Sequence, residues 1–325
     1  MLPSLTNPLS VKPSKLADTM PTNLTQRTYS LPHGTGTIPA IGLGTWQSND
    51  PNTTRTAVSH ALKSGYRHID TALNYGNEAA VGAGIRDSGV PREEIWVTTK
   101  LDNHWHHRAR EGLESSLRSL GMDYVDLFLV HFPCSTDPED RSKCLEGWDF
   151  VKTWQDMQKL LGTGKARNIG VSNFQITHLE RLLSDPSCKV IPAVNQIELH
   201  PYNPSPKLLS YCTSKGIHVT AYSCLGGHID SPINRTTNLL DDSTITRTAE
   251  GKNKTPAQIV LMWNIQRGVS VIPKSVTPGR IENNFDLDGW ELSDDEMDQI
   301  NSIKTRAKVV GDAWMPIRVF DGSDE

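Results

Sequence analysis

The residues best suited to do chemistry lie in one stretch of the chain, GYRHIDTALNYGNE, residues 65–78. Asp70 ends a short β-type run, Tyr75 lies in the turn that follows, and Asn77 is placed to start a helix. A carboxylate at a strand end and a phenol in the next turn can project from the same rim of a sheet or barrel. We therefore expect this stretch to supply part of a site for proton transfer.

Polar or ionisable side chains end most of the other strand-like runs as well, after apolar interiors. Each one alone is explained as a solvated strand end, a core histidine or a helix cap. Seven of the eight runs end this way, however, which favours a single functional rim over coincidence. The residues are Asp70, Lys100, His131, Ser172 with Asn173, Gln196 with Glu198, Tyr222 and Lys274.

Three of these polar groups, together with Tyr75, can support proton transfer without a metal. A tyrosine is a poor acid at neutral pH because its ordinary pKa is about 10, but a nearby ammonium lowers that pKa. We expect Lys100 to supply this charge to Tyr75, and Asp70 to keep Lys100 protonated. His131, neutral at an apolar strand end, can donate a hydrogen bond that positions a substrate carbonyl.

A metal site is the alternative that the histidines suggest. The pattern H-x-H-H of His104, His106 and His107 has no partner carboxylate at a recognised ligand spacing, and Trp105 interrupts the cluster. We therefore expect no metal, and we expect these loop histidines to be exposed or near the mouth of a pocket.

A phosphate site is indicated late in the chain, where the sequence VIPKSVT, residues 271–277, ends the last strand-like run. Lys274, Ser275, Thr277 and then Arg280 bring cations and hydroxyls beside the start of a helix. Such an arrangement suits a phosphate, and barrels often bind phosphate after their seventh and eighth strands. The alternative is a solvated basic turn.

The elements that must position these groups form a repeat. After a predicted hairpin of residues 29–31 and 37–40, eight strand-like runs alternate with helical patterns; the runs are residues 41–44, 66–70, 95–100, 125–131, 166–172, 194–198, 217–222 and 269–272. Eight such units predict an α/β fold in which a parallel sheet closes into a (β/α)8 TIM barrel. An open doubly wound sheet is less favoured, because no G-x-G-x-x-G follows any of the runs.

Two connections are long, residues 132–149 after strand four and residues 223–254 after strand seven. Both leave the carboxyl ends of strands, where barrel enzymes build their sites. Together with the tail of residues 309–325, they are candidate substrate walls; insertions without a function are the alternative.

Composition bears on the partners and the compartment. The net charge is −4 over 325 residues and no run of like charges reaches five or six, which argues against nucleic acid or an anionic membrane as partner and favours a small molecule. The five cysteines, with no CxxC, indicate reduced thiols of an intracellular, cytoplasmic protein.

Residues 1–26 are rich in Pro, Ser, Thr and Asn and lack a continuous apolar segment, so we interpret them as a disordered tail ahead of one domain, residues 27–325. A weak organellar targeting segment is the alternative for this tail.

Six motifs together resemble the aldo-keto reductases: GYRHIDTALNYGNE, HFP after LFLV, GVSNF, VNQIELHP, TAYSCLG and IPKSVTPGR. The resemblance runs from about residue 29 to residue 320. The pieces GDAWMPIRVFDG and DNHWHHR are more similar to fungal NADP-dependent aldehyde reductases and glycerol dehydrogenases of this family.

The resemblance implies a (β/α)8 barrel that reduces aldehydes and ketones with NADPH, as a monomer or weak homodimer. Tyr75 would be the acid in carbonyl reduction and the base in alcohol oxidation, within a tetrad of Asp70, Tyr75, Lys100 and His131. Implied contacts to the nicotinamide half of the cofactor are Ser172, Asn173, Gln196, Tyr222, Ser223 and Leu225. Implied contacts to the 2′-phosphate and adenine are Lys274, Ser275, Val276, Thr277, Arg280, Asn283 and Asn284.

The sequence departs from the commonest family pattern in ways that bear on the substrate. Asn283 stands where many members carry a glutamate near the adenine, and Cys224 replaces a proline at the start of the second long connection. Asp102 and Phe132 replace tryptophans of animal aldose reductases. We therefore expect a pocket for short aldehydes, hydroxyaldehydes or polyols, with Trp46, Asn74, Phe132 and Trp314 as its candidate residues.

Two other functions stay open at this point. One is a nucleotide-binding regulatory subunit with little turnover, which the complete tetrad disfavours. The other is a metal-dependent barrel hydrolase.

Overall fold

A computed structural model describes residues 23–31, 36–227, 238–320 and 322. Residues 1–22, most of the expected tail, lie outside the described residues. Two short antiparallel strands come first, β1 (Thr28–Ser30) and β2 (Thr37–Pro39). Eight parallel strands follow: β3 (Leu43–Gly44), β4 (His68–Asp70), β5 (Trp96–Leu101), β6 (Val125–Val130), β7 (Ala166–Ser172), β8 (Val194–Glu198), β9 (His218–Tyr222) and β10 (Ser270–Val271).

The eight parallel strands form a closed barrel. Each strand pairs with the next one in sequence, from β3 to β10. The first and last strands then meet, because Gly42 N donates to Val271 O at 2.8 Å and Gly44 N donates to Pro273 O at 3.1 Å. The prediction of a (β/α)8 barrel is confirmed, and the open doubly wound sheet is excluded.

Ten helices surround the barrel in the described part of the chain: α1 (Pro51–Lys63), α2 (Glu78–Ser88), α3 (Ala109–Leu120), α4 (Phe150–Gln158), α5 (Ile176–Ser184), α6 (Pro206–Ser214), α7 (Ser243–Lys252), α8 (Pro256–Gln266), α9 (Pro278–Phe285) and α10 (Asp294–Asn301). Their starts follow local chemistry. Asp50 accepts from Thr53 N ahead of α1, and Thr255 with Gln258 forms a capping box at α8. None of these helices has the length and apolar character needed to cross a membrane.

Helix α7 corrects one prediction, since residues 223–254 were expected to be a loop throughout. Its sequence, STITRTAEGK, is rich in β-branched and hydroxyl residues, which have low helix propensity and hide the pattern. The helix forms because Asp242 accepts from Thr244 N at 2.8 Å and because Ile245 and Ala249 are buried. Tertiary packing therefore overrides local propensity here. Residues 228–237 of the same connection lie outside the described residues.

The predicted hairpin is confirmed, and it closes the amino-terminal end of the barrel. Leu31 and Ile38 form one apolar cluster with Leu127, Leu129 and Val194 from the barrel strands. The Tyr29 hydroxyl donates to Ile265 O at 2.7 Å, which ties the hairpin to α8. Because the hairpin covers this end, a site built from the polar groups lies at the opposite end, at the carboxyl ends of the strands.

Candidate active site

Lys100 on β5 is at the centre of the polar rim and is only 1% exposed. Its Nζ donates to Asp70 Oδ1 at 2.6 Å, to Thr71 O at 2.8 Å and to the Tyr75 hydroxyl at 3.2 Å. An ammonium has three hydrogens, and each one has an acceptor here. The strand therefore fixes this charge beside the phenol, as the sequence predicted.

Asp70, at the end of β4, has the surroundings of an ionised carboxylate. One oxygen accepts from Lys100, and Oδ2 accepts from Gln196 Nε2 at 2.7 Å, so both oxygens face donors. Burial raises the pKa of this carboxyl, and the Lys100 charge and both hydrogen bonds oppose that rise. Burial alone would lower the pKa of Lys100, but Asp70 and Tyr75 outweigh it and the pKa is raised. Asp70 and Lys100 thus form a buried ion pair.

Tyr75 lies in a 3-10 turn of Leu73–Tyr75 and is half-buried. Burial raises the pKa of its phenol, and the attraction of Lys100 does not cancel the rise. The expectation of a lowered pKa is therefore wrong for the protein without cofactor. The physical reason is that a buried phenolate would lose its hydration, and that the Asp70 carboxylate offsets part of the attraction of Lys100. Tyr75 consequently carries its proton at neutral pH.

His131 leaves the end of β6 and faces the phenol. Its ring lies 5.7 Å from the Tyr75 ring, centroid to centroid, at an interplanar angle of 70°. Burial, the Lys100 charge and His106 lower the pKa of His131 well below its ordinary value, so the imidazole is neutral, as predicted. Asn173 Nδ2 donates to His131 O at 2.9 Å and steadies the backbone that carries the ring.

The opposite side of the rim brings together the candidates for a nicotinamide site. The Tyr222 hydroxyl donates to Asn173 Oδ1 at 2.6 Å, and Asn173 Nδ2 donates to Ser172 Oγ at 3.1 Å. Ser172 Oγ in turn donates to Gln196 O at 2.8 Å. An amide oxygen has two lone pairs, so Asn173 Oδ1 can still accept a further N–H, such as that of a carboxamide. The Tyr222 ring is half-buried and leaves a surface for stacking.

The turn after β10 has the donor set of a phosphate site. Within the described ranges, neither Lys274 nor Arg280 forms an ion pair with an acidic side chain. Burial lowers the pKa of Lys274. Ser275 Oγ accepts from Thr277 N at 3.1 Å, and no side chain caps the start of α9. The turn and the first residues of α9 therefore carry two cations without acidic partners, whose charge is complementary to that of a phosphate.

The remaining cofactor candidates lie in the connection after β9, in the phosphate turn and on α9. Ser223 and Leu225 are half-buried at the start of the connection after β9, where Gly226 N donates to Ser223 O at 2.8 Å. Val276 is half-buried beside the phosphate turn. On α9, Asn283 is exposed and Asn284 is buried. Their contacts to a cofactor stay predictions.

The four candidate pocket residues fall into two groups. Phe132 stacks on His131 at 5.1 Å, and Trp314 from the tail meets the Phe132 ring edge-on at 5.3 Å. Trp46 and Asn74 are exposed in the turns after β3 and β4. Trp46 is 40% and Trp314 is 56% exposed, so both rings present apolar surface that a substrate could cover.

The histidines of the loop after β5 correct another expectation. His106 is fully buried and its Nδ1 lies 2.8 Å from Ser135 Oγ, so it joins two loops instead of facing a pocket mouth. His104 and His107 are half-buried. Across the ranges that the structure describes, no three His, Cys, Asp or Glu side chains are grouped to hold a metal ion.

Several contacts that hold the site in place are not indicated by the sequence. Thr71 offers its main-chain oxygen to Lys100, and Gln196, predicted only as a strand end and a cofactor contact, donates from its amide nitrogen to Asp70. Glu198, only noted as a polar strand end, accepts from Val309 N at 2.6 Å and Val310 N at 2.7 Å and so anchors the tail. Adjacency to Asp70 could have indicated Thr71, but no pattern links Glu198 to a segment more than a hundred residues away.

The family model described as Aldo/keto reductase family matches residues 40–305. Glycerol 2-dehydrogenase (NADP(+)) of Saccharomyces cerevisiae is 45% identical over 321 residues, which cover 93% of this chain and 100% of the relative. An aldehyde reductase of the same yeast is 40% identical over 93% of this chain and 100% of its own length.

A solved structure is similar as well. The crystal structure of a Bombyx mori aldo-keto reductase in complex with NADP superposes with a TM-score of 0.79 and 39% identity. The match covers 87% of this chain and 94% of that chain.

Proposed function

The chain belongs to the aldo/keto reductase family, and on that basis we propose that it reduces short aldehydes and hydroxyaldehydes with NADPH, with Tyr75 as the proton donor. The family fixes the reaction class: an NADP-dependent oxidoreductase that interconverts carbonyl and alcohol groups. The observation that supports the residue roles is the Lys100 ammonium, bonded to Asp70 at 2.6 Å and to Tyr75 at 3.2 Å.

NADPH suits the donor set on this rim. When bound, it supplies the hydride that reduces the carbonyl carbon. The 2′-phosphate would be held by the two cations Lys274 and Arg280 and by the hydroxyls of Ser275 and Thr277. At the other end, Ser172, Asn173 and Gln196 would bind the carboxamide, and the Tyr222 ring would stack on the nicotinamide.

The proton step then follows from the geometry. A substrate carbonyl between Tyr75 and His131 would accept a hydrogen bond from each of them, which polarises the carbon. Tyr75 gives its hydroxyl proton to the substrate oxygen, and the Lys100 ammonium stabilises the phenolate that is left. Asp70 keeps Lys100 charged through the cycle. In alcohol oxidation the phenolate takes the proton back.

The pocket favours short, hydroxylated substrates. Phe132 stacks on His131, and Trp314 makes a T-shaped contact with Phe132. These two apolar rings limit the size of the substrate that can reach His131. Exposed Asn74, next to Tyr75 in the same turn, offers a polar contact to a substrate hydroxyl. The yeast relatives named glycerol 2-dehydrogenase and aldehyde reductase support the same substrate class.

A panel of carbonyl compounds tests this function. Short aldehydes, glyceraldehyde, keto acids, sugars and a bulky aromatic aldehyde are offered with NADPH or NADH, and glycerol with NADP+. We expect the highest kcat/KM for glyceraldehyde with NADPH. No NADPH consumption across the panel would contradict the activity, and a preference for the aromatic aldehyde would contradict the substrate class. No observation favours the regulatory-subunit alternative, since the relatives compared above are named as enzymes.

A further inference from the structure

Asn77 precedes α2 at the position where an asparagine usually caps a helix, but its side chain makes no capping hydrogen bond. It is 7% exposed and therefore needs other partners. Its Oδ1 accepts from Thr71 Oγ1 at 3.0 Å, and its Nδ2 donates to Thr45 O at 2.9 Å and to Ser48 O at 3.2 Å. The usual structural role of an asparagine at this position therefore does not explain the residue.

Two of the three partners of Asn77 also contact residues of the site. Thr71 offers its main-chain oxygen to Lys100 Nζ at 2.8 Å and is fully buried. Thr45 Oγ1 donates to Asp70 O at 2.9 Å. One amide thus connects the segments that carry Asp70 and hold Lys100.

The Asn77 amide also contacts the turn that carries the candidate pocket residue Trp46. Residues 45–48 form a turn in which Ser48 N donates to Thr45 O at 3.1 Å, and Trp46 lies within it. Gln47 in this turn has φ 60°, a backbone conformation that is unfavourable for residues other than glycine. Contacts from neighbouring residues must therefore stabilise the turn. The two Asn77 Nδ2 contacts provide that support. Tyr75 lies only two residues before Asn77, with Gly76 between them.

We propose that Asn77 is a positioning residue that holds the Tyr75 turn, Lys100 and the Trp46 turn in one arrangement. This inference rests on the proposed function. The Lys100 to Tyr75 contact of 3.2 Å is long, so a small shift of the turn would break it. A misplacement of about 1 Å can cost about 100-fold in rate.

Asn77→Ala is the direct test. We expect kcat for glyceraldehyde to fall about 10- to 100-fold, with KM and the NADPH Kd within about twofold. Because Lys100 would no longer favour the phenolate, the basic limb of the pH profile of kcat should move to higher pH. Thr71→Val, which removes one link from the other side, should change both quantities in the same direction by less.

Ser293→Ala is the matched control, because Ser293 does cap its helix, α10, by accepting from Glu296 N at 3.3 Å. It should leave kcat and the pH profile unchanged while lowering Tm. The proposal is overturned if Asn77→Ala keeps kcat and the basic limb of wild type, or if Ser293→Ala loses as much kcat.

A second readout needs no turnover and separates this inference from the proposed function. Hydrogen exchange of the free enzyme should accelerate both in residues 45–48 and in residues 71–77 of Asn77→Ala, but not in Ser293→Ala. Unchanged exchange in both segments would overturn the positioning role. Absence of turnover in the wild type would instead contradict the activity itself.

Discussion

At the scale of single residues, one group of the rim donates the proton and two others set the pKa of that donor. Tyr75 is neutral and partly open to the pocket, while Lys100 and Asp70 are an almost fully buried ion pair behind it. Buried pairs of this kind are costly to break, because the remaining partner keeps its charge without compensation. Both the stability of the buried pair and the activity of Tyr75 therefore depend on Lys100.

Lys100→Met separates these two dependences. It leaves the Asp70 carboxylate buried and unpaired, so we expect a loss of about 3–5 kcal/mol in the free energy of unfolding, measured in urea. Activity should fall by about 100-fold or more, since the phenol loses its ammonium. The double variant Asp70→Asn/Lys100→Met should recover much of the stability but none of the activity. Recovery of both would show that Lys100 has only a structural role.

The pH dependence follows from the raised pKa of Tyr75. Carbonyl reduction needs the protonated phenol, so kcat/KM for reduction should stay level through neutral pH and fall only as the pH passes the raised pKa, above about 10. Alcohol oxidation needs the phenolate and should rise over the same range. A basic limb near neutral pH in the reduction profile would contradict this, because it would mean that Lys100 lowers the pKa of Tyr75 more than burial raises it.

At the scale of elements, the carboxyl ends of the strands bring distant segments to one rim, while loops and helix starts supply the binding groups. The turn between β10 and α9 is the clearest case. Lys274 lies in this turn and Arg280 in the first turn of α9, and neither pairs with an acidic side chain in the part of the chain that the structure describes. An anion can therefore bind without displacing an existing partner.

This turn should set the choice of nucleotide. Lys274→Ala and Arg280→Ala should each weaken NADPH binding by about 10- to 100-fold, in line with about 1.5–3 kcal/mol for a charged hydrogen bond, and leave NADH binding nearly unchanged. Fluorescence titration with both nucleotides measures this. Lys215→Ala is the control, because Lys215 is an exposed cation at the end of α6. Equal weakening of NADPH and NADH would contradict a 2′-phosphate contact.

Most strands and helices, and the polar residues at the strand ends, can be predicted from the sequence. The exceptions have physical reasons. Apolar strands are easily recognised in the sequence; β6, for example, is buried along its whole length. The polar residues at the ends of such strands locate Asp70, Lys100 and His131. Helix α7 was missed because its stability comes from burial of Ile245 and Ala249. The pKa of Tyr75 was misjudged because desolvation depends on packing. His106 and Asn77 act through side-chain contacts between segments, which spacing does not encode.

At the scale of the whole molecule, barrel closure depends on close backbone approach between its first and last strands. A Cβ on Gly44 would lie 2.6 Å from Ile272 O, a backbone atom that cannot move aside. The same seam carries Lys274, bridged to Gly44, into the phosphate turn. Closure of the barrel and construction of the cofactor site therefore share one contact.

Gly44→Ala tests this dependence. We expect a loss of about 1–3 kcal/mol in the free energy of unfolding, together with weaker NADPH binding, because the seam must open to admit the methyl group. Gly162→Ala is the control, since a Cβ there meets nothing within 4 Å. Equal stabilities for the two variants in urea would contradict the importance of the seam.

Three proposals about the molecule as a whole are independent of the site. We propose that residues 27–325 form a single domain, that the protein is a monomer or weak homodimer, and that it acts in the cytoplasm. Size-exclusion chromatography with light scattering measures the mass in solution. A stable tetramer would contradict the second proposal.

The most direct test of the central claim is the single-turnover rate of NADPH oxidation by glyceraldehyde in Tyr75→Phe. We expect this rate to fall by about 100- to 10,000-fold with the NADPH Kd unchanged, because the ring stays in place while the proton is gone. Tyr211→Phe, on the outer helix α6, should keep the wild-type rate. A wild-type rate in Tyr75→Phe would contradict the assignment of Tyr75 as the acid.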